Sequence, residues 1–140
     1  MNPRPITKAD YEMLAEFRWV LRQFLRFSEV AARAAGLSPQ QHQALLAIKG
    51  FPGSNRMLIG ELAERLQIRP QSAVGLADRL VVKRFARRFP DGADRRRVRL
   101  GLTRSGEAVL ERLSATHREQ LRALTPRFQS LLRHLSLPSA

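Results

Sequence analysis

The sequence contains no cysteine. That excludes disulfides, zinc–thiolate sites, thiol nucleophiles and thiol redox switches, and it makes the reducing cytoplasm the expected compartment. Aromatic residues are few, with one tryptophan and one tyrosine. No apolar run approaches the roughly 18 residues a membrane-spanning helix needs. The N-terminal stretch MNPRPITKADYEML lacks the apolar centre and cleavage site of a signal peptide, so neither membrane insertion nor secretion is expected. His42, His117 and His134 are scattered, without the spacing of a metal-ligand set. No serine–histidine–acid order, phosphate-cradling glycine loop or carboxylate pair is discernible. No catalytic residue, metal or cofactor is therefore expected, and the chain is read as something other than an enzyme.

Acidic residues are also scarce. Against 25 lysines and arginines stand only 12 aspartates and glutamates, a formal net charge of +13. A chain this basic is expected to meet a polyanion. Its 140 residues, 44% of them apolar, suffice for one domain with helical extensions.

The periodicity supplies an order of elements. Residues 8–35 read as a long helix, with Leu14, Phe17, Leu21, Phe24 and Leu25 at spacings of three and four. Trp19, Val20, Phe27 and Val30 widen its apolar surface, so it needs more than one partner surface; Gly36 closes it. A second helix over 37–50 opens with Ser38 as cap, Pro39 in the first turn and Gln41 completing a capping box. FPGSN (51–55) is a loop. Residues 58–66 form a short amphipathic helix, and Pro70 opens another that runs to about Lys83 with Ala73, Leu76, Ala77 and Leu80 inward. Two short helices joined so tightly read as a helix-turn-helix.

The period then changes to two. FARRF (85–89) and RVRLGL (97–102) read as strands, with Pro90, Asp91 and Gly92 between them. This is a hairpin with a long tip, and the arginines of DGADRRRVRL lie on that tip and on its exposed face. Thr103 caps a helix over 104–123, and Thr125 and Pro126 restart one that ends near Leu135. The fold class is mainly α with a small β-hairpin wing, a winged helix-turn-helix.

The charge is concentrated on the same part of the chain. Between Arg69 and Arg99 lie ten basic residues and three acidic ones, giving +7 over 31 positions and +6 over the other 109. Nine of the ten are arginine. Its planar fork and weak hydration suit a narrow groove of negative potential. Asp94 is placed to bridge Arg96 and hold it extended.

LIGELAERLQIRPQSAVGLADRL followed by DGADRRRVRLGLTRSG resembles the MarR family of bacterial transcriptional regulators. The matching motifs are Glu61-Leu62-Ala63, Asp78-Arg79-Leu80, and the passage through Asp94, Arg96, Leu102, Thr103 and Gly106. LSPQQHQALLAI is similar to the family's second helix, and the likeness spans about 10–135. It implies a homodimer whose N-terminal helix (1–36) and C-terminal helices (104–140) interlock, with a DNA-binding domain over 37–103. It also implies that the 70–80 helix enters the major groove while Asp94 orients Arg96 into the minor groove.

On that pattern the recognition helix offers Arg69, Gln71, Ser72, Gly75 and Arg79, and the wing offers Arg88, Asp94, Arg95, Arg96 and Arg97. Gln71 can pair bidentately with adenine or stand solvated. Ser72 is the better placed for phosphate. Arg79 is open to two readings, a backbone contact or a structural ion pair. Arg87 and Arg88 point to opposite sides of a strand, so at most one faces DNA. Three departures stand out: Arg69 where a small capping residue is usual, Arg84 where glycine is common, and Val74 with Gly75 where polar base-reading side chains are common.

Tyr11, Trp19 and His42 are candidates for an effector pocket, which the resemblance places in this region for a small aromatic anion. The competing reading makes the aromatics dimer core. The expected function is a dimeric regulator on a pseudo-palindromic operator in double-stranded DNA, a repressor relieved by such a ligand. The alternatives are a nonspecific architectural protein and a winged-helix protein-docking module.

Overall fold

The computed structural model describes residues 4–92 and 94–136, with the side chains of 94–96 left out. Its elements are α1 (Lys8–Ala34), α2 (Pro39–Lys49), β1 (Arg56–Leu58), α3 (Ile59–Leu66), α4 (Pro70–Val82), β2 (Ala86–Asp91), β3 (Asp94–Leu102) and α5 (Arg104–Ser136). They form two compact units. One comprises the chain up to Val30 and from Ala115 onward, and the other comprises Ala31–Ser114. The segment 37–103 lies within the second unit, which also takes in the end of α1 and the start of α5.

Local chemistry explains most element boundaries. Thr7 and Asp10 form a capping box at the start of α1: the Thr7 amide donates to Asp10 Oδ2 (2.9 Å) and the Asp10 amide to Thr7 Oγ1 (3.3 Å). At its end Gly36 takes φ +82°. There the Leu37 amide bonds to the Ala32 carbonyl and the Gly36 amide to that of Arg33, a Schellman closure. Ser38 and Gln41 form the expected reciprocal box (3.1 and 3.0 Å). Thr103 caps α5 by accepting the Gly106 amide (3.1 Å).

In the second unit one core gathers Leu45 and Ile48 of α2, Met57 of β1, Leu62 of α3, Leu76 and Leu80 of α4, Leu100 of β3 and Leu110 of α5, all buried. The sheet is antiparallel in the order β1-β3-β2. Met57 pairs with Leu100, which pairs with Arg88; this register puts Arg56, Gly101, Arg87 and Phe89 on the opposite face.

Three expectations are corrected. The loop after α2 ends in a strand, β1, which the reading of 58–66 as a helix overlooked; three residues are too few to show a period. The hairpin tip is short: strand conformation runs through Asp91 and resumes at Asp94. The final helix is unbroken at Pro126. Proline withdraws one amide from the ladder, but Leu124 and Leu131 are buried on either side of it, so both turns are anchored by packing. The Thr125 hydroxyl turns back to the Leu121 carbonyl (2.9 Å).

In the first unit, His117 of α5 is buried, hydrogen-bonded to Ser28 of α1 (2.8 Å) and met edge-on by Phe24 and Phe27. Arg127 reaches Glu16 (2.8 Å) and Gln23 (2.7 Å) and lies over Trp19. Leu14, Phe17, Leu21 and Leu25 of α1 and Leu121, Leu132 and Leu135 of α5 remain exposed. No described helix is long and apolar enough to cross a membrane.

Candidate nucleic-acid interface

Helix α4 buries Ala73, Leu76, Ala77 and Leu80 and leaves Arg69, Gln71, Ser72, Val74, Asp78 and Arg79 exposed. Pro70 starts the helix and Arg69 occupies the cap position with no side-chain capping bond. The amides of the first turn are therefore left without a side-chain cap, beside a guanidinium. A helix N-terminus in that state carries partial positive charge and attracts phosphate.

Two glycines and two arginines set the geometry around the helix. Gly75 is half-buried, and Arg79 lies along it, its Nη1 at 3.5 Å from where a Cβ would stand. Arg79 makes no ion pair among the described side chains. Arg84 follows α4 in the left-handed region, φ +63°, where glycine is the favoured residue. Its carbonyl accepts hydrogen bonds from Thr103 and Ser105 at the start of α5. Gly106 is required by contact: a Cβ there would lie 1.9 Å from the Phe85 carbonyl oxygen.

The wing presents its arginines in an unexpected way. Pro90 pairs with Val98, yet the next residue, Asp91, pairs with Asp94. Arg95, Arg96 and Arg97 thus fall outside the register and bulge from β3. Proline has no amide to give the ladder at this point, and the displaced segment holds three successive arginines. Arg97 is exposed. The expected bridge from Asp94 to Arg96, and the side chain of Arg95, lie outside the described residues.

Of the ten basic residues between 69 and 99, three are committed elsewhere. Lys83 donates to the Gly36 carbonyl and to Gln41 Oε1 (both 2.9 Å), clamping the α1–α2 junction. Arg99, expected on the exposed face, is half-buried and lies between Asp91 (3.4 Å) and Glu61 (3.6 Å). Arg88, a candidate wing contact, pairs with Asp78 of α4. Arg87 does face the other side of the strand, over the ring of Phe89 (4.6 Å), with Arg56 of β1 also stacked on that ring (3.6 Å). This stack was not foreseen. Its one signal in the sequence was Gly101 in mid-strand, where a Cβ would come within 2.7 Å of Phe89.

The pocket candidates fall in different places. Tyr11 and Trp19 are exposed on α1 in the first unit, whereas His42 is buried on α2 in the second. Among the described residues, no cluster of three or more histidine or acidic side chains is arranged to hold a metal.

A helix-turn-helix backed by a three-stranded sheet, with an arginine bulge at the hairpin end, defines a winged-helix protein. The profile described as the MarR family matches residues 35–97. The chain is 32% identical over 97 residues to the transcriptional repressor MdtR of Bacillus subtilis, covering 69% of this chain and 58% of that protein. It is 34% identical over 84 residues to the transcriptional activatory protein BadR of Rhodopseudomonas palustris, covering 60% and 48%. The chain thus spans about half the length of these curated relatives. A MepR mutant of S. aureus bound to an oligodeoxyribonucleotide shares the fold, with a TM-score of 0.65 at 20% identity over 94% and 95% of the two chains. The matched segment, residues 35–97, is that of the MarR family, and the solved structure shares the fold of the whole described chain.

Proposed function

We propose that the protein is a homodimeric, sequence-specific DNA-binding transcriptional regulator. The observation that carries this reading is the joint exposure of α4's outward residues and of Arg97 on the bulge of β3, within one compact unit. Gln71 reads a base in the major groove, Arg69, Ser72 and Arg79 hold phosphates, and Gly75 lets the helix backbone come close. The wing, Asp94 to Arg97, supplies the minor-groove contact, where arginine is favoured by negative potential. Arg88 acts as a strut through Asp78.

The exposed leucines and Phe17 of the first unit support dimerisation, because apolar side chains along two long helices gain stability only when covered. Two winged helices related by a dyad bind half-sites about 10 base pairs apart. Binding within a promoter represses by occlusion. A small aromatic anion relieves it by favouring a dimer whose wings no longer match that spacing; the exposed Tyr11 and Trp19, with Arg127 over the latter, are the groups that suit such a ligand.

The test is selection of bound duplexes from a random pool, followed by titration against salt. A regulator returns a pseudo-palindrome preferred by at least about a thousandfold over random sequence. Equal affinity for all duplexes would leave only the architectural reading. Retention of full DNA binding after Arg79→Ala and Arg97→Ala together would favour the docking module. Sedimentation that gives a monomer at micromolar concentration would remove the dyad.

A further inference from the structure

Val74 has no part in the reading above, yet it occupies a telling place. It is 46% exposed and stands three residues after Gln71, on the same side of α4. The exposed residues around it on that helix are polar: Gln71, Ser72, Asp78 and Arg79. An apolar side chain exposed among polar ones earns nothing from the fold of its own chain. It gains only from whatever meets the helix.

The edges of the base pairs in the major groove offer one apolar group, the 5-methyl of thymine. Valine is short, so contact requires the helix backbone to approach the groove floor closely. Gly75, the next residue, has no side chain to hold it off, and only the flexible end of Arg79 comes near, 3.5 Å from where a Cβ would stand. Val82 is still more exposed, at 81%, but it ends the helix, beside the clamped Lys83, far along the chain from the N-terminal half that carries Gln71.

We infer that Val74 is a specificity-determining residue that packs against the methyl group of a thymine, so that each half-site carries a thymine close to the adenine paired with Gln71. This rests on the proposed DNA-binding function and adds the identity of a base that no hydrogen bond reads.

The experiment uses the full chain and the duplex selected above. The thymines of the consensus are replaced one at a time by deoxyuridine, which lacks only the methyl group. For the parent protein, one position in each half-site loses about fourfold in affinity, the weight of one buried methyl group, and the symmetric double replacement loses about fifteenfold. Val74→Ala binds the thymine and deoxyuridine duplexes equally and keeps the parent's salt slope. Alanine is the better helix former at an exposed site, so this variant folds. If the pool yields no consensus, the reading of function fails first. If a consensus emerges without a thymine, if no deoxyuridine replacement matters, or if the loss persists in Val74→Ala, the inference about Val74 is wrong while the regulator stands.

Discussion

Arg88 on β2 donates to the carboxylate of Asp78 on α4, tying the wing to that helix. Both side chains are about half exposed, so the pair adds well under 1 kcal/mol to stability. Its consequence is electrostatic. Asp78 stands on the exposed side of α4, where an uncompensated carboxylate would repel phosphate, and Arg88 neutralises it.

Asp78→Asn is therefore expected to raise general affinity for DNA while leaving the thermal midpoint within a few degrees of the parent. Freed from its partner, Arg88 gains access to a phosphate, and the slope of log K against log salt steepens by about 0.9. Arg88→Ala leaves Asp78 uncompensated and weakens binding. Binding isotherms at four or five salt concentrations decide it; an unchanged slope in Asp78→Asn would sink the argument.

Arg84 holds a left-handed conformation that costs a non-glycine residue about 1 kcal/mol. Its carbonyl, which receives Thr103 and Ser105, is kept in any substitution. Arg84→Gly should stabilise the protein by up to about 1 kcal/mol, offset in part by glycine's greater freedom in the unfolded chain. Urea denaturation would show the midpoint moving upward, with the slope unchanged.

Gly106 and Gly60 make a matched pair. A methyl group at Gly106 collides with the Phe85 carbonyl, whereas at Gly60 in α3 it meets open space. Gly106→Ala is expected to cost at least about 3 kcal/mol, as backbone must move in a packed region. Gly60→Ala gains about 0.5–1 kcal/mol from helix propensity. Equal stabilities for the two alanine variants would contradict the close approach of α5 to the end of α4.

Asp10 is held well below the usual carboxylate range. The Arg4 guanidinium is the largest cause, followed by the Thr7 amide and His134. A depressed pKa means that the folded state keeps Asp10 ionised more readily than the unfolded chain does. Its contribution is thus complete above about pH 4 and is lost as the solution is acidified below that value. Asp10→Asn should unfold less steeply with acid than the parent between pH 4 and pH 2. Parallel acid-denaturation curves for the two proteins, followed by helical circular dichroism, would show that Asp10 contributes no pH-linked stability.

Arg97 tests the bulge. It is exposed and outside the β2–β3 register, so Arg97→Ala should reduce the salt slope by about 0.9 without a change in unfolding midpoint. Arg99→Ala, by contrast, removes a bridge between Asp91 and Glu61 and should act on stability as well. A stability loss in Arg97→Ala equal to that in Arg99→Ala would place Arg97 inside the fold.

What the sequence settled by itself was whatever depends on neighbours along the chain. The Ser38–Gln41 box, the Gly36 closure, Pro70 at the start of α4, the Thr103 cap and the apolar stripe of α4 all appear where spacing put them, because caps and helix faces are made within three or four residues. Tertiary structure alone decided what depends on distant partners. It gave β1 its strand character through β3, kept α5 continuous through Pro126 with buried leucines on both sides, and assigned Lys83, Arg88 and Arg99 to carboxylates, carbonyls and amides from 8 to 47 positions away. Charge is countable in a sequence, but which arginines remain for a ligand is set by where the fold brings the aspartates.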